Sequence, residues 1–292
     1  MRYKAVLYVV LAGLFWGSSG LFVLALSPYG VTSAQMTAVR ATVSLLFMSL
    51  FLFFYDRRLF RVSLRELPLL FGVGCGLYFT GFLYFTSMQM TSVPTAVMLM
   101  YTAPVFVAVY SLLFLGEKMT PAKGASILLV MLGCVLVSGV IGGFTYNAMG
   151  ILIGLGAGVA YSAYNIFTKY EMRRSIHPLT VTFYAYVLMV LFSLPAADFG
   201  GTLSVVSEAP QTLLLMVGMG ACTTIIPYFL YTLGIRELPA GTTASLAVVE
   251  PVAATLYSVL FLSERLRWDS LCGVLLVVFA VLLLGRTETK QR

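Results

Sequence analysis

Long apolar stretches alternate along the chain with short polar ones. Ten apolar runs reach the length of a membrane span: 5–26, 33–55, 67–89, 93–115, 122–142, 147–169, 178–198, 211–235, 239–262 and 268–285. A helix crossing the hydrocarbon core needs about 20 residues. Each run is expected to be helical, because a lone strand in lipid leaves its backbone groups unpaired. The pattern predicts an all-α membrane protein of ten transmembrane helices, with connections too short for a soluble domain. The opening Met1-Arg2-Tyr3-Lys4, followed by the run 5–26, imitates a signal peptide. Its apolar part is too long for a typical signal core and is read as the first span.

Composition agrees with a lipid solvent. Of 292 residues, 60% are hydrophobic and only 10% charged, against roughly a quarter charged in soluble domains. The net charge of +7 comes from where the basic residues sit. With the N-terminus inside, the inner segments hold Arg2, Lys4, Arg57, Arg58, Arg61, Arg65, Lys118, Lys123, Lys169, Arg173, Arg174, Arg236, Arg286, Lys290 and Arg292. The outer loops hold Arg265 and Arg267, and Arg40 falls within a span. The positive-inside rule then predicts cytoplasmic termini and a cell-membrane location. The basic loops are read as topology signals that also contact anionic lipid, so no nucleic-acid partner is expected. Cys75, Cys134, Cys222 and Cys272 lie in apolar runs without Cys-x-x-Cys spacing and read as reduced thiols. With His177 the one histidine, no metal site or other cofactor is expected.

The chain also repeats itself. Shifted by 147, Pro104–Glu117 matches Pro251–Glu264 at Pro104/Pro251, Val105/Val252, Tyr110/Tyr257, Ser111/Ser258, Leu113/Leu260, Phe114/Phe261, Leu115/Leu262 and Glu117/Glu264. Leu83-Tyr84 matches Leu230-Tyr231. Near the start of each half a shift of 145 pairs Ala12-Gly13 with Ala157-Gly158 and Trp16 with Tyr161. The reading is a duplicated five-helix unit, 1–143 and 144–292. Five is odd, so the second copy enters the membrane from the opposite side. Such inverted repeats are a construction of many secondary transporters, with the substrate held near the midplane.

Several segments resemble the drug/metabolite transporter superfamily, and within it the EamA family. They are Leu14-Phe15-Trp16-Gly17-Ser18-Ser19, Tyr84-Phe85-Thr86-Ser87 through Ala96, Pro104, and Phe114-Leu115-Gly116-Glu117. The second half repeats the signature in Ala247-Val248-Val249-Glu250-Pro251 through Phe261-Leu262-Ser263-Glu264. The resemblance implies a ten-helix transporter with a central cavity, often exporting amino acids or related metabolites. Ala103 stands where Glu250 stands, so a carboxylate role belongs to one half only.

The residues suggest where chemistry sits. Glu250, expected near the centre of the ninth span, carries an acid that costs roughly 2.5–3.5 kcal/mol to insert, so it should face the interior. It reads as a proton-coupling or cation site, or as a structural carboxylate tied to a group near Pro251. Arg40 reads either as a clamp for a substrate carboxylate or as a snorkelling base. An Arg40–Glu250 pair is a further alternative. Trp16, Tyr78, Tyr84, Tyr101, Tyr161, Tyr164, Tyr228, Tyr231 and Tyr257 fall within spans, and Asn165 adds a polar handle. A phenol in hydrocarbon needs a hydrogen-bond partner, which favours interior faces; ordinary packing is the competing reading, least so for the repeat mates Trp16 and Tyr161. Gly13/Gly17 and Gly150/Gly154/Gly158 are four apart and expected to let helices approach closely. Pro104, Pro227 and Pro251 are candidate bends or hinges.

These features favour a secondary transporter of small metabolites, moving a small-molecule substrate and in one version protons, by alternating access. Export is implied by the resemblance alone. No Gly-x-x-x-x-Gly-Lys-Ser/Thr loop is present, so no ATP-driven motor is expected. An intramembrane enzyme would need a nucleophile with a base or a metal cluster. A non-transporting receptor or scaffold is the other alternative. Oligomeric state is left open.

Overall fold

The computed structural model describes residues 2–114, 120–137, 147–174, 176–235, 246, 249–263 and 268–290. Described secondary structure is helical throughout: α1 (Arg2–Gly17), α2 (Ser19–Leu26), α3 (Ser33–Tyr55), α4 (Leu67–Met90), α5 (Val93–Met100), α6 (Ala103–Phe114), α7 (Pro121–Val137), α8 (Ala148–Arg173), α9 (Pro178–Ser193), α10 (Phe199–Glu208), α11 (Gln211–Gly220), α12 (Ile226–Ile235), α13 (Val249–Phe261) and α14 (Trp268–Lys290). Seven helical stretches are long and apolar enough to cross a membrane. Three shorter apolar helices lie at Gly124–Leu136, Val249–Phe261 and Trp268–Leu283.

Local chemistry sets the ends. Thr32 and Gln35 form a reciprocal capping box at the start of α3, satisfying two donors that the first turn leaves unpaired. Asn147 Oδ1 accepts from the Gly150 amide to start α8.

Several predicted spans are not single helices. The first breaks at Ser18, whose hydroxyl donates to the Phe15 carbonyl at 2.6 Å while Ser19 donates to Trp16. The fourth breaks at Tyr101 and Thr102, between α5 and α6. The eighth carries a π-helical segment, Ala221–Ile225, between α11 and α12. The seventh shortens, ending in Leu194–Ala196, and the amphipathic α10 follows where no helix was expected. Of the candidate bends, Pro104 follows the α5–α6 break and Pro227 the π segment, while residues 247 and 248 before Pro251 lie outside the described ones. Pro104 lies in the first turn of α6, where the missing amide costs no hydrogen bond, whereas Pro227 stands inside the helical stretch Gln211–Tyr231. Glu250 stands in the first described turn of α13. Glu117 and Glu264 lie outside the described residues.

The packing crosses between the halves. α4 lies along α8 and α12 along α1. α7 runs along α14, and α3 along α9. The glycines explain the close approach. A Cβ on Gly13 would stand 3.0 Å from Val249 Cβ, and one on Gly17 2.7 Å from Ala253 Cβ. Their counterpart Gly158 leaves the same kind of room against Thr102 and Leu99. Small residues four apart thus seat α1 on α13 and α8 on the α5–α6 break. Tyr110 stacks on Phe114 at 4.9 Å, and their mates Tyr257 and Phe261 pair at 6.1 Å.

Candidate functional site

The crossed packing brings α1, α3, α4, α5, α8, α9, α12 and α13 around one cluster of polar and aromatic side chains. Its first feature is Glu250. The Tyr101 hydroxyl, at the α5–α6 break, donates to Glu250 Oε2 at 2.9 Å. Tyr84 and Tyr161 are also close enough to interact with this carboxyl group. A break in α5–α6 is what frees Tyr101 to reach across from the first half to the second.

The second feature is Arg40 on α3. Its guanidinium lies over the Phe85 ring, 5.0 Å from the centroid. Room for it comes from Gly81, where a Cβ would stand 2.6 Å from Arg40 Nη2. Arg40 Nε is buried with no acceptor in the protein, and Tyr84, Tyr186 and Tyr228 surround the group electrostatically. The side chain therefore points inward and does not snorkel. Among the described residues no ion pair joins Arg40 to Glu250. Tyr84 interacts with both charges, and its hydroxyl is buried without a hydrogen-bond partner.

The third feature is the aromatic wall. Trp16 meets Tyr228 edge-on at 5.3 Å and Tyr231 at 5.4 Å, so both members of that i, i+3 pair share the expected face. Tyr161 and Tyr164 stack at 6.1 Å with 9° between planes. Tyr164 lies beside Tyr228, closing the ring of side chains.

Two candidates fall elsewhere. Tyr78 packs with Phe79, Phe82 and Phe192 in the α4–α9 core. Asn165 is exposed, and its amide donates to the Tyr161 carbonyl of its own helix. Sequence reasoning missed Tyr186 and Gly81. Tyr186 carried the same signal as the other tyrosines, a phenol inside a span. Gly81 has no sequence signal, since its role is the space it leaves for Arg40.

A separate cavity of about 420 Å³ opens near the α2–α3 turn, lined by Ser27, Thr32, Ser33, Thr86 and Gln89 among others. Its polar groups largely satisfy one another: Ser33 Oγ donates to Gln89 Oε1, and Gln89 Nε2 to Ser27 Oγ. It holds no charge and is distinct from the cluster described above. No cluster of three or more metal-ligating side chains occurs among the described residues.

Comparison with known proteins bears on this arrangement. The EamA-like transporter family matches residues 3–139 and again residues 148–286. The chain belongs to the EamA-like transporter family. As a member it is a multi-pass membrane protein with a transport role. It is similar to the uncharacterized transporter YwfM of Bacillus subtilis, 25% identical over 290 residues, covering 98% of this chain and 95% of that one. It is also similar to the threonine/homoserine exporter RhtA of Escherichia coli K12, 27% identical over 290 residues, covering 98% and 92%. A protein of known crystal structure superposes over the full length of both chains with a TM-score of 0.64 at 18% identity, a likeness of fold.

Proposed function

We propose that this chain is a secondary exporter of small zwitterionic metabolites, amino acids foremost, working by alternating access. Two five-helix halves, 1–143 and 144–292, enter the membrane from opposite sides as ten spans with both ends cytoplasmic. The crossed packing of α4 on α8 and α12 on α1 supports this arrangement, as do the seven long and three shorter apolar helices. The substrate binds in the chamber between the halves.

One observation carries the reading: a buried guanidinium nitrogen without an acceptor and a carboxyl group held by Tyr101 share one tyrosine-lined chamber. A buried polar group left unpaired costs about 1–3 kcal/mol. A substrate carboxylate on Arg40 removes that cost, and its ammonium group faces Glu250 and the aromatic wall, where ring faces attract cations. Glu250 also serves as the proton-coupling carboxyl: substrate ammonium and proton compete for one site, so each displaces the other. The name of the relative RhtA, a threonine/homoserine exporter, supports amino acids as cargo and export as direction.

The test is solute flux in proteoliposomes, comparing free amino acids with their methyl esters and N-acetyl derivatives. The proposal expects transport of the zwitterions alone. Equal transport of an ester and its parent acid would rule out Arg40 as the carboxylate clamp.

A further inference from the structure

Where the ends of α4 and α8 meet on the basic side of the protein, the segment before α4 is tied down from several directions. Thr180 Oγ1 donates to the Leu59 carbonyl at 3.0 Å, and the Tyr184 hydroxyl to the Phe60 carbonyl at 2.8 Å. Arg174 Nη1 reaches Glu66 Oε2 at 3.2 Å and the Arg65 carbonyl at 3.4 Å. One group in this cluster is left over. Glu171 is completely buried, and neither of its carboxyl oxygens has a hydrogen-bond partner.

The spacing makes Glu171 a rival for Arg174. The two lie three residues apart on the same helical turn, with the Arg174 amide bonded to the Glu171 carbonyl at 3.0 Å. Side chains so spaced are neighbours on a helix. Among the described side chains, the charged groups acting on Glu171 are Glu66 and Arg174. Burial first, and then the negative charge of Glu66, push the Glu171 carboxyl above the ordinary carboxylate range, with Arg174 pulling the other way. A sealed carboxyl without donors is tolerated when neutral; once ionised it must find a cation. Among the described side chains, Arg174, half-exposed and single-bonded to Glu66, is the cation acting on it.

We propose that Glu171 is a second proton-binding site, separate from Glu250, that controls a latch between α4 and α8. With the proton bound, Arg174 bridges to Glu66 and holds the two helix ends together. When Glu171 releases its proton to the adjacent water, the new carboxylate repels Glu66 and takes Arg174 onto its own helix. The bridge between helices is then gone, and the chamber opens at this end. The latch is closed at low pH and loosens as pH rises through the Glu171 titration. That this end faces the cytoplasm rests on the orientation proposed above.

Thiol accessibility tests the latch without requiring transport. Thr168 lies one turn inward from Glu171, with its hydroxyl oxygen buried. Thr168→Cys is introduced into full-length protein whose four native cysteines are replaced by serine, reconstituted in lipid nanodiscs. Its reaction rate with a charged methanethiosulfonate is normalised to that of free glutathione at each pH. The exposed character of the Arg174–Glu66 pair sets the expected size, about a fivefold rise from pH 5.5 to pH 8. Glu171→Gln should stay slow across the range, Glu171→Asp should keep a rise, and Glu66→Gln and Arg174→Gln should be fast at both ends. A rise that survives in Glu171→Gln overturns the proposal. So does a Glu66→Gln protein labelled no faster than its parent at low pH. Thermal unfolding of each variant reports folding. Because nanodiscs expose both faces and no flux is measured, this result stands or falls separately from the transport reading.

Discussion

In the first half, the fourth span breaks at Tyr101 and Thr102 and restarts at Ala103, with Pro104 in the first turn of α6. In the second half, Glu250 and Pro251 stand in the corresponding places, in the first described turn of α13. The surrounding scaffold is shared. Gly13 makes room for Val249, as Gly158 makes room for Thr102, and the ring pairs Tyr110–Phe114 and Tyr257–Phe261 recur. The chemistry is not shared. One copy ends its break on a buried methyl group, and the other presents a carboxylate that the first copy's Tyr101 then holds at 2.9 Å. The two matches to the family thus carry Ala103 and Glu250 at corresponding positions, and the proposed site draws its carboxyl group from one of them.

That asymmetry can be broken on purpose. The largest effect is expected from Glu250→Gln. Proton-driven flux in proteoliposomes should fall to background while the protein remains folded. Accumulation or expulsion at wild-type rates would remove Glu250 from coupling. Next, Ala103→Glu places the acid in the other copy. Ala103 is buried, so the change should cost about 2.5–3.5 kcal/mol of stability, read as a lower melting temperature. It should not restore flux when combined with Glu250→Gln.

Arg40→Gln follows. Losing a charged hydrogen-bonding partner costs about 1.5–3 kcal/mol, or roughly tenfold to a hundredfold in substrate affinity by calorimetry. Arg40→Lys should recover only part of it, because an ammonium lacks the planar fork that grips a carboxylate. The smallest effects concern the aromatic wall. Trp16→Ala and Tyr161→Ala should each weaken binding by several-fold, given about 0.5–1.5 kcal/mol per aromatic contact, and Tyr110→Ala by less. Equal losses in all three would mean that the rings pack the fold without touching substrate.

Much of this architecture is legible in the sequence, and the reasons it stops are physical. The span expected at 33–55 is α3, Ser33–Tyr55, and the one at 67–89 is α4, Leu67–Met90. Hydrophobic length marks a membrane helix well, because lipid demands it. The same averaging hides interruptions. The breaks carry Ser18-Ser19 and Tyr101-Thr102, and the π segment Ala221–Ile225 carries Thr223-Thr224. Averaged over the length of a span, these few polar residues vanish into their apolar surroundings, although they let Trp16, Tyr101 and Tyr228 approach the site. The pairing of α4 with α8 rather than with its own neighbours depends on three-dimensional fit between glycines and side chains. Tyr78 and Tyr84 are indistinguishable in sequence, yet one packs with Phe192 and the other interacts with both Arg40 and Glu250.

The account rests on two oppositely inserted halves enclosing the Arg40–Glu250 chamber. Epitope tags at the N-terminus and after Leu262, probed in intact and permeabilised cells, test this directly. The N-terminal tag should be reached only after permeabilisation and the tag after Leu262 in intact cells. Finding both on the cytoplasmic side would contradict the inverted arrangement.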